Sequence, residues 1–85
     1  MAEEKVGEVV KYFGKISVAA ITVSAPLKVG DTIHITGHTT DLTEKVDSMQ
    51  IENQSVETAN PGDDIGIKVS DRVRPGDAVY RVTES

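Results

Sequence analysis

Val29-Gly30-Asp31-Thr32-Ile33-His34-Ile35 is a Gly-Asp turn that launches a strand, and the fold follows from it. Glycine reaches positive φ without a steric clash, and aspartate can hydrogen-bond backbone amides one or two residues on. The residues that follow are rich in β-branched side chains, which suit a pleated, half-buried surface. The same recipe returns at Pro61-Gly62-Asp63-Asp64-Ile65-Gly66-Ile67 and at Pro75-Gly76-Asp77-Ala78-Val79-Tyr80-Arg81-Val82. A short chain that starts strands this way three times is all-β and tightly wound. The three aspartates are turn residues first.

Outward from these corners, further short strands are expected. Val6 to Phe13 reads as the first and Ile16 to Val23 as the second. In the second, Ile16 and Val18 share one face while Ile21 and Val23 share the other, which predicts a β-bulge near Ala19-Ala20 or a strand buried on both faces. Ser24 to Lys28 is a connection, because Pro26 cannot donate to a ladder. Thr32 to Thr36 alternates cleanly, with Ile33 and Ile35 inward. Gly37 to Leu42 is a polar loop. Glu44 to Ile51 is a strand whose apolar spacing, Val46 then Met49 and Ile51, slips by one. Ser55 to Thr58, then Ile65 to Val69, then Ala78 to Val82 complete the set. No apolar i, i+3, i+4, i+7 pattern persists over three turns. About seven short strands give a sandwich or a barrel. Slipped alternation at two places favours a small closed antiparallel β-barrel of six or seven strands, since bulges supply the curvature that closure needs. The 1–5 segment is polar and expected to be a flexible start. Residues 6–83 form a single barrel domain.

Composition narrows the function. The chain has 85 residues, no cysteine, and fourteen acids against nine bases for a net charge of −5. That length allows one domain with one small core. Without cysteine there is no disulfide framework and no thiolate metal site, and with no signal-like start the expected location is cytoplasmic. No apolar run approaches the roughly 20 residues that span a bilayer, so no membrane partner is expected. The acidic balance gives no overall basic field for duplex nucleic acid.

Four motifs in order resemble the second, β-barrel domain of translational GTPases such as elongation factor Tu. They are Leu27-Lys28-Val29-Gly30-Asp31 with its strand ending at Gly37, Lys45-Val46-Asp47-Ser48-Met49-Gln50, Ala59-Asn60-Pro61-Gly62-Asp63-Asp64-Ile65-Gly66-Ile67, and Val73-Arg74-Pro75-Gly76-Asp77-Ala78-Val79. The resemblance covers about Val6 to Val82 and implies the same closed barrel. It also implies a stand-alone module acting in or near translation, with transfer RNA or the ribosome as partner. The chain has no G-x-x-x-x-G-K-[ST] loop, so no nucleotide is expected and GTPase activity does not carry over. Similar barrels also occur appended to collagenase-like peptidases and RNA-linked proteins. The alternative is therefore a protein-interaction module docking on an RNA-modifying or peptidase-like enzyme.

Candidate binding residues come from two sources. The resemblance implies Gln50 and Asp64, matched to positions that help line the pocket for the aminoacyl end of transfer RNA. The family carries an acid at the first and an asparagine at the second. The residues themselves point to Lys11, Tyr12, Phe13 and Lys15, a basic-aromatic cluster at the first hairpin able to stack on bases and pair with phosphates. A competing reading makes Phe13 a plug at one end of the barrel. Lys68, Arg72 and Arg74 could contact phosphate or an acidic face, although Asp71 and Asp77 beside them suggest local ion pairing. His34, His38 and Asp41 are the one metal-like constellation. Zinc usually takes three or four ligands from a His-rich or Cys-rich set, and there is no cysteine here, so no metal and no cofactor is expected and Gly37 to Asp41 reads as a polar turn bonded to its own backbone. No nucleophile elbow is present, and a barrel this small is filled by side chains, which gives a binding module and not an enzyme.

Overall fold

The computed structural model describes residues 2–83. All of the regular structure among them is strand. Ten strands run β1 (Ala2–Phe13), β2 (Val18–Val23), β3 (Leu27–Lys28), β4 (Thr32–Thr36), β5 (Asp41–Lys45), β6 (Met49–Ile51), β7 (Gln54–Val56), β8 (Thr58–Ala59), β9 (Asp64–Lys68) and β10 (Ala78–Thr83). Eight form one sheet in the order β5-β4-β10-β1-β2-β9-β6-β7, and β3 pairs with β8 apart from it. Every pairing is antiparallel. The sheet ends at β5 and β7, which do not pair with each other. The all-β, antiparallel expectation holds. The ladders do not record closure into a barrel, and the strands outnumber the expected six or seven. The surplus comes from pieces of two or three residues.

The Gly-Asp corners are built alike. Gly30, Gly62 and Gly76 have φ of 101°, 94° and 94°. Asp31, Asp63 and Asp77 each donate their N–H to the carbonyl three residues back, on Lys28, Asn60 and Arg74, at 3.1, 3.0 and 3.1 Å. Each aspartate carboxylate then accepts the N–H of that same residue, at 2.9, 2.8 and 2.8 Å. This is the pattern of a type II turn with Gly at its third position and Val or Pro at its second. The carboxylates reach back across the turn and do not bond residues further on, as the sequence reading had them.

One core serves all the strands. Ile33 and Ile35 of β4, Ile65 and Ile67 of β9, Ile21 of β2 and Val79 of β10 are all buried. Each such side chain contributes roughly 1.5–3 kcal/mol by leaving water. Leu27 and Ala59, paired across the small β3·β8 ladder, are fully buried as well.

The irregularities sit elsewhere than the sequence suggests. β2 alternates without a bulge, with Ala19, Ile21 and Val23 inward. The bulges are in β1: the register against β10 shifts between Lys5 and Gly7, and that against β2 between Val9 and Lys11. Gly7 is needed there, because a Cβ would stand 2.7 Å from the Thr22 carbonyl oxygen. The slip between Val46 and Met49 is a break between β5 and β6, not a bulge within one strand. Ala2 to Lys5, set apart by the sequence as a flexible start, are in register with Tyr80 to Thr83 of β10. No helix among the described residues is long and apolar enough to cross a membrane.

Candidate functional site: two concavities beside the first hairpin

β1 and β2 are joined by a tight turn over residues 14–17, with Ser17 at φ 56°. The surface is hollowed on either side of that hairpin.

The first hollow, about 660 Å³, is lined by Lys11, Tyr12, Gly14, Arg72, Val73, Arg74 and Pro75. Two local facts bring these distant segments together. The third Gly-Asp corner is hydrogen-bonded to β1, Gly76 N–H to the Val9 carbonyl at 2.7 Å and Val9 N–H to the Asp77 carbonyl at 2.8 Å. Val73 is buried in the core. It pins the middle of the 69–77 loop, so its exposed neighbours Arg72 and Arg74 line the hollow beside it. The bulge at Val10 then sets Lys11 and Tyr12 against this loop. The ion pairing expected from Asp71 and Asp77 does not form. Asp71 accepts the Arg72 backbone N–H at 2.8 Å, and the buried Asp77 accepts that of Arg74. Among the described residues, no carboxylate lies within ion-pair distance of Lys11, Arg72 or Arg74.

The second hollow, about 420 Å³, is apolar. Its floor is the outer face of β2 and β9, where half-buried Val18 and Ala20 flank Gly66, which has no side chain, above the backbone of the core residue Ile65. Ala20 is paired with Gly66, and Gly66 in turn with Gln50. Phe13 and Ile16 form one wall, 41% and 60% exposed. Gln50 and the hairpin turn Glu52-Asn53 form the other. Glu52 and Asn53 both have positive φ, 51° and 66°, as a two-residue type I′ turn requires. Asp64 closes one end, its Oδ1 accepting the Thr22 hydroxyl at 2.9 Å. The Lys11 ammonium lies 5.0 Å from the Phe13 ring centre, so a cation borders this groove as well.

The candidate residues therefore sort into two groups. Lys11, Tyr12, Arg72 and Arg74 share the cationic hollow; Phe13, Gln50 and Asp64 share the apolar one. Phe13 is too exposed to plug an end of the core. Lys15 and Lys68 are exposed and line neither hollow. Ile16, Ala20 and Gly66 are not among the binding candidates that the sequence offers. Ile16 is legible as an apolar residue after Gly14-Lys15, but the strand expected over Ile16 to Val23 hides its place in the turn before β2.

His34 makes a separate arrangement. Its Nδ1 lies 3.0 Å from Glu3 Oε2 and its Nε2 2.6 Å from Asp41 Oδ1. The hydrogen bond to Asp41, and then that to Glu3, raises its pKa above the usual 6.5. His38 does not join it, and among the described residues no group of three or more His, Cys, Asp or Glu is placed to hold a metal ion.

No protein-family model matches the chain. It is 45% identical over 82 residues to an uncharacterized protease of Methanocaldococcus jannaschii, a match covering 95% of this chain and 20% of that protein. It is 44% identical over 78 residues to a collagenase of Porphyromonas gingivalis, covering 89% of this chain and 22% of the collagenase. The chain thus spans about a fifth of the length of these relatives. Among solved structures it is similar to the C-terminal domain of a Geobacillus thermoleovorans protein named as a U32 peptidase. That likeness has a TM-score of 0.88 at 18% identity, over 94% of this chain and 93% of the domain. The selenomethionine form of the same domain gives 0.85 at 19%, over 89% and 96%. These findings overturn the resemblance to the second domain of elongation factor Tu. The translation-factor reading goes with it, and so does the aminoacyl-end role implied for Gln50 and Asp64. Three of the four motifs behind that resemblance are Gly-Asp corners with their strands and the fourth is a short strand approach at 45–50, local devices that do not identify a family. What the chain is similar to, in sequence and in fold, is a segment of peptidase and collagenase proteins.

Proposed function

We propose that the chain is a non-catalytic binding module, a single folded unit, that docks on a peptidase-like enzyme through the face around the β1–β2 hairpin. The exposed pair Phe13 and Ile16 over a floor of Ala20 and Gly66 carries this reading. Large apolar side chains clustered in a groove mark an interaction surface, because covering each one gains on the order of 1.5–3 kcal/mol. The likeness to a fifth of a protease supports the choice of partner, since the remaining four fifths are what such a segment accompanies.

The same reading takes the sheet to wrap into a barrel. Its two ends are tied to one corner: Gly30 N–H donates to the Val46 carbonyl and Val46 N–H to the Asp31 carbonyl, at 2.9 and 2.8 Å. Val29 N–H donates to the Glu57 carbonyl at 2.9 Å. A solid interior of this kind leaves the outer face for function.

The test is calorimetric titration of this chain into the Methanocaldococcus jannaschii relative from which the matching segment has been deleted, with folding of the deletion protein checked by circular dichroism. Binding is expected in the micromolar range, weakened at least about tenfold by Phe13→Ala with Ile16→Ser. No heat of binding to a folded deletion protein, or equal binding by the double variant, overturns the reading.

A further inference from the structure

Three cations converge on one hollow of a chain whose net charge is −5. None of them has a carboxylate within ion-pair distance among the described residues, although nearby acids were available. Asp71 and Asp77 are committed to backbone N–H groups. The 69–77 loop is held on both sides, by Val73 in the core and by the Gly76 and Asp77 bonds to Val9, so the arginines start from a fixed backbone. Fixed, unneutralised cations repel one another, and an anionic partner relieves that repulsion.

We propose that the hollow formed by Lys11, Tyr12, Arg72 and Arg74 receives a short acidic segment of the partner polypeptide. The segment runs on to an apolar side chain that enters the groove beside Phe13. The inference rests on the docking reading above and names the chemistry of the docked segment. Guanidinium forks match carboxylates two bonds at a time. Lys11, lying over the Phe13 ring, joins the charged hollow to the apolar one. A polynucleotide fits less well. The cationic hollow is short, and Asp71 and Asp41 line the adjoining surface together with Arg72 and Arg74, where they repel a continuous phosphate rail. Tyr12 packs partly against the core and leaves little open ring for a base.

The test is fluorescence anisotropy of this chain with a labelled peptide of four glutamates followed by two leucines, beside the same peptide with lysines for glutamates and a labelled oligouridylate. The acidic peptide is expected to bind, at least about tenfold more weakly in roughly 0.3 M salt than in 0.02 M, as screening demands. Arg72→Glu with Arg74→Glu is expected to reduce affinity by more than about tenfold. Lys28→Glu, which lines neither hollow, should leave it within about twofold. Thermal melts show whether each variant is folded, and Arg72→Gln with Arg74→Gln is read where the reversals are not. Equal binding of acidic and basic peptides, tighter binding of the oligouridylate, or equal loss from Lys28→Glu overturns the proposal. Enzyme docking that survives both arginine reversals overturns it too and leaves the docking reading standing. Peptide binding without enzyme docking removes the docking reading and the enzyme as source of the segment, and leaves only the acidic-apolar chemistry of the ligand standing.

Discussion

Gly37 lies so close to Asp77 that a Cβ at position 37 would overlap Asp77 Oδ1. The end of β4 and the third Gly-Asp corner are packed backbone against carboxylate. Asp77 itself is buried and accepts the Arg74 N–H, so it cannot swing out without leaving that donor unmet. Gly37→Ala is expected to destabilise the fold by about 1–3 kcal/mol, the usual cost of overpacking, as measured by urea denaturation. Gly37→Ala with Asp77→Ser should lose less than the two single changes summed, because the clash goes with the carboxylate.

At Gly62 the constraint is the backbone itself. Its φ is 94°, and a Cβ would meet nothing within 4 Å. Gly62→Ala is expected to cost about 1–2 kcal/mol, from the φ > 0 penalty alone. D-alanine introduced at 62 by chemical synthesis should be neutral or stabilising, since its preferred φ is positive. Thermal melts of the two forms separate conformation from packing.

His34 gives the fold a pH dependence of definite sign. Asp41 and Glu3 raise its folded pKa above 6.5. The stabilisation is therefore complete below about pH 6.5 and is lost as pH rises through the folded value, where the imidazole can no longer donate from both nitrogens. Asp41 is largely exposed and Glu3 partly so, which limits the effect to less than about 1 kcal/mol. Denaturation midpoints from pH 5.5 to 8.5 should fall for the wild type. They should be flatter for His34→Gln.

Gly66 sets the depth of the apolar groove. A Cβ there would lie 3.3 Å from Val18 Cγ1, so Gly66→Ala asks only a small shift of Val18. A stability change below about 1.5 kcal/mol is expected by denaturation. The added methyl fills the floor beside Ala20, so docking should weaken several-fold by calorimetry. Unchanged docking would remove the groove from the contact face.

Much of the fold was open to reading because its decisive chemistry is short-range. Each Gly-Asp corner closes within four residues, and β4, β9 and β10 begin at or just after Asp31, Asp63 and Asp77. The inward rows of β4 and β9 follow from strict alternation. The bulges of β1 were not legible, since Val6 and Val9, three apart yet both buried, declare a bulge only once they are known to share a face. The candidate site was legible as a set of residues but not as a pairing. Lys11 and Arg72 are far apart in sequence, and the Val9–Gly76 bond brings them together.

By itself, then, the sequence determined that the regular structure of the described residues is strand, where three of the strands start, and which carboxylates are held in turns. The tertiary structure alone decided that Ala2 to Lys5 lie against β10, that among the described residues no carboxylate comes within ion-pair distance of Arg72 or Arg74, and that Phe13 and Ile16 stand over a groove. The physical reason is range. A turn is settled by bonds among neighbours, whereas a ladder or a hollow depends on segments that meet only after the whole chain has folded.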